Sequence, residues 1–106
     1  MARTLLNVPK AARKGEVIEI RALIAHPMET GFRPGADGKV QPRDIIRRFA
    51  CRYNGEQVFA AELFSAISAN PYVAFHTVAT ETGTLEFEWQ GDNGFSQVEK
   101  RTLQVT

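Results

Sequence analysis

The sequence has 106 residues, of which 43% are hydrophobic and 24% are charged, and its formal net charge is +1. This composition is typical of one globular domain and not of a disordered chain. The low net charge argues against a basic protein that binds nucleic acid or an anionic membrane. The single cysteine, Cys51, excludes an intrachain disulfide and a zinc site built from several cysteines.

The N-terminal segment MARTLLNVPKAARKGEV contains basic residues but lacks the apolar run of about seven residues that a signal peptide needs. No stretch approaches the roughly eighteen apolar residues of a membrane-spanning helix. Taken alone, these two features predict a soluble, cytoplasmic protein.

Apolar and polar residues alternate with a period of two along several short segments, which predicts strands. The first is RTLLNV. The second, EVIEIRALIA, places four apolar side chains on one face: Ile18, Ile20, Ala22 and Ile24. The third, IIRRFACRY, directs another set towards the core: Ile45, Phe49, Cys51 and Tyr53. Arg48 and Arg52 point the opposite way, and Arg47 interrupts the apolar set near the start.

Four further strands are predicted at EQVFAAELF, YVAFHTVA, GTLEFEWQG and FSQVEKRTLQV. Asn54-Gly55 predicts a hairpin turn, and SAISANP allows a helical turn. In the last strand Val98 is out of phase with Leu103, so a bulge near residues 99–101 is expected to restore the register. About seven strands without a long helix predict an all-β, immunoglobulin-like antiparallel β-sandwich, in one domain that spans residues 1–106.

Residues 26–44 form a connection far longer than the usual four to six residues. Asp37-Gly38 predicts a small hairpin turn that partly orders it. Met28 and Phe32 are apolar side chains on this connection, so each must fold back onto the core or meet something outside. Long connections in small domains are usually functional or disordered, and these apolar residues argue against disorder.

A copper site is one chemical hypothesis, because His26, Met28, Cys51 and His76 are the residue types of a cupredoxin site. Cupredoxins gather these ligands in one short loop near the C-terminus, whereas Cys51 lies in the middle of a strand. We therefore expect no metal and no other cofactor. Cys51 is interpreted as a small buried hydrophobic residue, and His76 as a structural or surface residue.

Catalysis is not predicted either. A nucleophile pair of Cys51 and His76 would need facing strands, and no Asp or Asn is indicated to orient it. Glu86 and Glu88 share one strand face, which an ordinary solvent-exposed surface explains. The sequence also contains a basic stripe, which comprises Arg43, Arg47, Arg48 and Arg52. The stripe is either a solvated strand face or a surface that contacts an acidic partner or a small anion.

The segment GEVIEIRALIAHPMETGFRPGADGKVQPRDII is followed in order by YNGEQVF, ISANPYVAF and GTLEFEWQGDNG. This series, and most specifically HPMETG, SANPY and the Trp-x-x-x-x-Gly strand end, resembles the Z subunit of the SoxYZ sulfur carrier. The resemblance implies a subunit of a heterodimer that carries sulfur intermediates in bacterial thiosulfate oxidation. In that family the Y subunit bears the substrate on a cysteine in a glycine-rich C-terminal segment, whereas this sequence ends in KRTLQVT without cysteine.

The resemblance further implies a non-catalytic chain that supports the Y subunit. This chain would help to present the C-terminal segment of the Y subunit to other Sox enzymes, which dock transiently. It also implies a periplasmic location, reached by export together with a Y subunit that carries a twin-arginine signal. The residues expected to contact partners are His26, Met28, Phe32, Arg33, Arg48 and Arg52.

Three alternatives stay open beside the carrier subunit: a metal-binding electron carrier, a small-molecule-binding β-sandwich module, and a free-standing protein that binds sulfur on Cys51. Neither nucleic acid nor a membrane is expected as a partner. An exposed partner surface would also allow the isolated chain to associate with itself.

Overall fold

In the computed structural model, which describes residues 2–106, eight strands form two sheets around a shared core. The strands are β1 (Thr4–Asn7), β2 (Ala11–Ala12), β3 (Val17–Ile24), β4 (Ile46–Tyr53), β5 (Glu56–Glu62), β6 (Tyr72–Val78), β7 (Gly83–Gly91) and β8 (Ser96–Val105). One sheet has the order β1-β3-β6 and the other β2-β8-β7-β4-β5. Neighbouring strands are antiparallel except β2 and β8. The predicted all-β sandwich is confirmed, with β2 added.

The core lies between the two sheets and is formed by the side chains that the alternation assigned to it. All four predicted residues of β3 are buried, as are the three apolar residues of β7. Phe49 of β4 lies at the centre, with its ring centroid 6.2 Å from Phe75, 6.3 Å from Phe87 and 5.2 Å from Trp89. Burial of one such side chain stabilises the fold by roughly 1.5–3 kcal/mol.

A bulge at the start of β4 explains the position of Arg47. Ile46 pairs with Gly91 of β7 and Arg48 pairs with Gln90, so Arg47 is the extra residue. The bulge turns Arg47 to the surface and lets both preceding isoleucines enter the core. Gly91 permits this close pairing, because a Cβ atom there would lie 2.6 Å from the carbonyl oxygen of Ile45.

The bulge predicted near residues 99–101 is wrong. β8 pairs with β7 in an unbroken register along its length. Instead of Val98, the strand directs Gln97 into the core. Gln97 tolerates burial because its Nε2 donates to the backbone oxygen of Ala2 (2.8 Å) and its Oε1 accepts from the Ala2 N–H (3.0 Å).

The connections follow the turn signals in part. The hairpin at Asn54-Gly55 is confirmed, with φ angles of 51° and 85° that are typical of a type I′ turn. The helical turn allowed at SAISANP is a single hydrogen-bonded turn from Phe64 to Ile67 and not a helix. Between residues 2 and 106 the helical structure is a short 3₁₀ segment at Asp92–Gly94, and no helix there is long and apolar enough to span a membrane.

Replacement of the central core residue tests this packing. Phe49→Ala is expected to lower the free energy of unfolding by about 3–5 kcal/mol, because it removes a ring that is packed on all sides. Val98→Ala, on the outer face of β8, serves as the control and is expected to change stability by less than about 0.5 kcal/mol. Urea denaturation measures both, and similar losses in the two variants would contradict the assigned core.

Candidate functional site

Residues 29–44, which we call the arm, form a two-stranded ribbon beyond the sandwich. Glu29 and Asp44 exchange two backbone hydrogen bonds of 2.8 Å, and Pro34 pairs with Val40 further out. The hairpin predicted at Asp37-Gly38 is confirmed, and Gly38 has the positive φ of 79° that this turn requires. The molecule is 58 Å long and 20 Å wide. A ten-residue strand such as β8 is only about 34 Å long, so the molecule extends beyond the length of its strands.

The base of the arm is held by two of the predicted partner-contact residues. His26 and Met28 are 6% and 4% exposed. His26 Nδ1 accepts the Met28 N–H at 3.0 Å, and the Met28 sulfur accepts the Ile46 N–H at 3.2 Å. The imidazole of His26 also packs edge-on against Phe95, with ring centroids 5.4 Å apart. Both side chains are therefore occupied inside the chain and leave little surface for a partner.

Phe32 and Arg33, the next two predicted contacts, lie at the surface. Phe32 is 82% exposed, so Met28 folds back onto the core and Phe32 does not. The Arg33 side chain is also exposed and donates to Glu29 through Nε at 2.9 Å. This hydrogen bond lowers the pKa of Glu29 below its ordinary value. The arm thus presents an unpaired aromatic ring next to a fixed ion pair.

Three connections meet at the end of the sandwich from which the arm extends: residues 25–45, 63–71 and 92–95. We call this end the arm end. The His26 N–H donates to Asn70 Oδ1 at 2.9 Å, and the Asn70 N–H donates to the His26 oxygen at 2.7 Å. The Asp92 N–H donates to the Ile45 oxygen at 2.9 Å. Several large apolar side chains are exposed in these connections and at the adjoining start of β6: Phe32, Val40, Phe64, Ile67 and Tyr72.

Asp92 is the charged centre of the arm end. Its carboxylate accepts from Arg43 Nε (2.8 Å) and Nη2 (2.9 Å), lies 3.2 Å from Arg47 Nε, and accepts the Ile45 N–H at 3.2 Å. Burial by itself would raise the pKa of Asp92, but the hydrogen bonds from Arg43 and from the Ile45 N–H outweigh it and lower the pKa. Asp92 therefore stays ionised at neutral pH and fixes two guanidinium groups.

These guanidinium groups border an open cleft of 670 Å³, which we call the arginine cleft. Its charged lining residues are Arg43, Arg47, Arg48 and Glu62, and its apolar lining includes Leu63 and Phe64. Arg48, a predicted contact residue, donates to the neutral Gln57 side chain at 3.1 Å. Three of the four arginines of the predicted basic stripe thus line the cleft, and Arg52 does not.

Arg52, the last predicted contact residue, belongs to a separate ion-pair group on the outer face of the larger sheet. Its Nε donates to Glu86 at 2.8 Å, and its Nη2 lies 3.1 Å from Glu88. The hydrogen bond from Arg52 lowers the pKa of Glu86. The two carboxylates are therefore paired with Arg52, and Glu86 also lies 3.7 Å from Lys100 Nζ, so they belong to an ion-pair group on the sheet surface.

The side chains considered for catalysis or copper do not converge. Cys51 is fully buried in the core, and burial raises the pKa of its thiol to about 12. His76 lies on the outer face of the other sheet, 3.5 Å from Glu19. In the part of the chain that the structure describes, no three His, Cys, Asp or Glu side chains are close enough to hold a metal ion together.

The sequence profile of one family, described as "Sulphur oxidation protein SoxZ", matches residues 6–102. The chain belongs to the SoxZ family. The resemblance noted from HPMETG, SANPY and the Trp-x-x-x-x-Gly strand end is therefore confirmed. A comparison with individual curated proteins finds no significant match.

Solved structures share the fold of this SoxZ-family chain at low sequence identity. A superoxide reductase (neelaredoxin) from Ignicoccus hospitalis has a TM-score of 0.75 at 14% identity, over 99% of this chain and 82% of that chain. The sulfur carrier protein SoxY from Chlorobium limicola f. thiosulfatophilum has a TM-score of 0.68 at 14% identity, over 97% of this chain and 78% of that chain. These similarities show a common fold and carry no function.

The sequence reasoning did not identify Asp92, Asn70 and Phe64 as parts of the site. Two signals were available, because Asn70 lies in SANPY and Asp92 lies in the Trp-x-x-x-x-Gly strand end. Neither fragment shows which distant residues it contacts. The contacts of Asp92 with Arg43 and Arg47 became visible only when the register of β4 and β7 was known.

The thiol of Cys51 provides a test of burial and pH dependence. In the folded protein it is expected to resist a disulfide reagent such as dithionitrobenzoate at pH 8, and to react at once in denaturant, because it is inaccessible and protonated. Since the pKa is raised from 9.0 to about 12, its contribution to stability is complete below pH 9 and is lost as the pH rises towards 12. Stoichiometric labelling of the native protein at pH 8 would refute this.

Proposed function

We propose that this chain is the non-catalytic subunit of a heterodimeric SoxYZ carrier in the oxidation of thiosulfate and related sulfur compounds. The observation that carries the proposal is the SoxZ profile match over residues 6–102. The state of Cys51, the single cysteine of the sequence, supports it. A buried thiol with a pKa of about 12 is a poor nucleophile at neutral pH, so the sulfur compound is carried by the partner.

The arm end is the surface that we propose for contact with the Y subunit and for docking of Sox enzymes. Aromatic residues and arginine are enriched at the centres of protein interfaces, and this surface presents both. Phe32 and Arg33 are the predicted contact residues of the arm end that are available at the surface, and Arg48 lines the adjoining arginine cleft. A stable heterodimer of this kind buries roughly 2,000 Å² or more in total, so neighbouring surfaces take part as well.

His26 and Met28 have an indirect role in this proposal. They fix the base of the arm through the hydrogen bonds with each other and with Ile46. Arg52, which is paired with two carboxylates, stays a predicted contact on the sheet face. Replacement of Arg52 by Glu tests this, because it weakens the heterodimer only if the sheet face belongs to the interface.

The proposed location is the periplasm, reached by export together with the Y subunit. The support is the family membership of the chain. Cell fractionation tests it with a Y subunit whose export signal is intact or deleted. The chain is expected in the periplasm only with the intact signal, and cytoplasmic retention in both cases would exclude joint export.

A metal-binding module is the second candidate, because the sequence contains the residue types of a copper site at His26, Met28, Cys51 and His76. Its weakness is that the described residues bring no three ligand side chains together. Metal analysis of the purified protein decides between the two, since a stoichiometric amount of iron or copper would favour the second candidate.

Native mass spectrometry after co-expression with a Y subunit tests the carrier function. We expect a one-to-one complex in which, after incubation with thiosulfate and the oxidising enzymes, sulfur adds to the Y subunit only. A chain that ignores the Y subunit, or sulfur adducts on Cys51, would overturn the proposal.

Phe32→Ala sharpens this test. The substitution is expected to weaken the heterodimer by about 2 kcal/mol, or roughly thirtyfold in Kd, because the ring is the most exposed aromatic side chain of the arm. Leu5→Ala is the matched control, since Leu5 is a similarly large exposed apolar residue on β1. Equal affinities of the Phe32 variant and the wild type would exclude the arm from the interface.

A further inference from the structure

The bulge at the start of β4 gives the arginine cleft an unusual concentration of guanidinium groups. Consecutive residues of a regular strand point to opposite faces. Here Arg47 is the extra residue of the bulge, and it lines the same cleft as its neighbour Arg48. Bulges that redirect a side chain in this way are over-represented beside functional sites.

The charges of the cleft do not balance. Asp92 binds Arg43 and Arg47 and holds their side chains in place. Glu62 also lines the cleft and is the register partner of Arg48 on β5. Three guanidinium groups therefore face two carboxylates.

Among the residues that the structure describes, Arg48 is the arginine of the cleft that has no carboxylate bound to it. Among the described residues its guanidinium donates to Gln57, which is neutral, and it forms no ion pair with Glu62. A planar guanidinium group suits an oxyanion, because its parallel N–H groups match two oxygens of the anion. Leu63 and Phe64 add apolar surface to the cleft, which would displace part of the water around a bound anion.

We propose that the arginine cleft binds a tetrahedral sulfur oxyanion, with Arg48 as the principal ligand and with Arg43 and Arg47 held beside it by Asp92. The sulfur identity of the anion rests on the proposed function, whereas the charge and shape of the cleft do not. The same terminal group occurs on free thiosulfate and on a cysteine that carries a sulfonate. The cleft therefore places an anion-binding site next to the arm, where a Y subunit that carries the sulfur compound would meet this chain.

Isothermal titration calorimetry of the purified full chain at low ionic strength tests the site. The probes are sodium thiosulfate, sodium sulfate and a short peptide that contains S-sulfocysteine. Arg48→Gln is expected to weaken one-site binding by roughly tenfold, because a hydrogen bond to a charged group is lost. Arg101→Gln is the matched control on β8 of the same sheet and is expected to bind like the wild type. Glu62→Gln is expected to tighten binding roughly two- to fivefold, because it removes a competing carboxylate.

The outcomes separate the two sources of the anion. If thiosulfate binds and the peptide does not, the cleft is a site for a free anion. If the peptide binds, the cleft is a site for a sulfonate group carried on a cysteine. Absence of saturable binding by all three probes would overturn the proposal. Equal losses in the Arg48 and Arg101 variants would also overturn it, because such losses reflect net charge alone.

Native mass spectrometry of the wild-type chain with the Y subunit, run beside the calorimetry, keeps this inference distinct from the proposed function. A chain that forms the heterodimer but binds none of the three probes would overturn the anion site and leave the carrier function standing. If wild-type chain binds the anion but no Y subunit, the cleft assignment stands and the carrier function fails.

Discussion

The arm end depends on the ion pairs and hydrogen bonds that the Asp92 carboxylate forms. This carboxylate connects the turn between β7 and β8 with the first residues of β4 and with the end of the arm, through Ile45, Arg43 and Arg47. The same contacts stabilise the arm and hold two positive charges at one edge of a cleft. Structure and electrostatics at this end are therefore coupled, because one ionised group serves both.

The polar side chains inside the sandwich are held by contacts within the chain. Among the described residues they are His26 and Gln97. His26 Nδ1 accepts the Met28 N–H and its Nε2 lies 3.9 Å from Asp44, whereas Gln97 bonds the backbone of Ala2. No buried side-chain nitrogen or oxygen of the described residues lacks a hydrogen-bond partner. Cys51 is surrounded by apolar groups and stays protonated. The described side chains that are free to contact other molecules therefore lie at the surface, most of all at the arm end.

The fold is shared with superoxide reductases and with a SoxY protein at 14% identity, so the fold by itself does not distinguish an enzyme from a carrier. What distinguishes this chain is the family profile together with the contents of the arm end. Exposed Phe32 and the Arg33–Glu29 pair lie on a connection, where a sandwich can vary without loss of its core. The arginine cleft is lined by residues of the connections and of the adjoining strand ends.

The sequence by itself determined the alternating strands, the turns at Asn54-Gly55 and Asp37-Gly38, the inert Cys51 and the family resemblance, because these depend on local period, turn chemistry and characteristic fragments. Tertiary structure alone decided that Arg47 joins Arg48 at a cleft, that Gln97 enters the core, and that Met28 folds inwards while Phe32 does not. The physical reason is distance along the chain. The bulge at Arg47 requires Gly91, and burial of Gln97 requires the backbone of Ala2, 95 residues away.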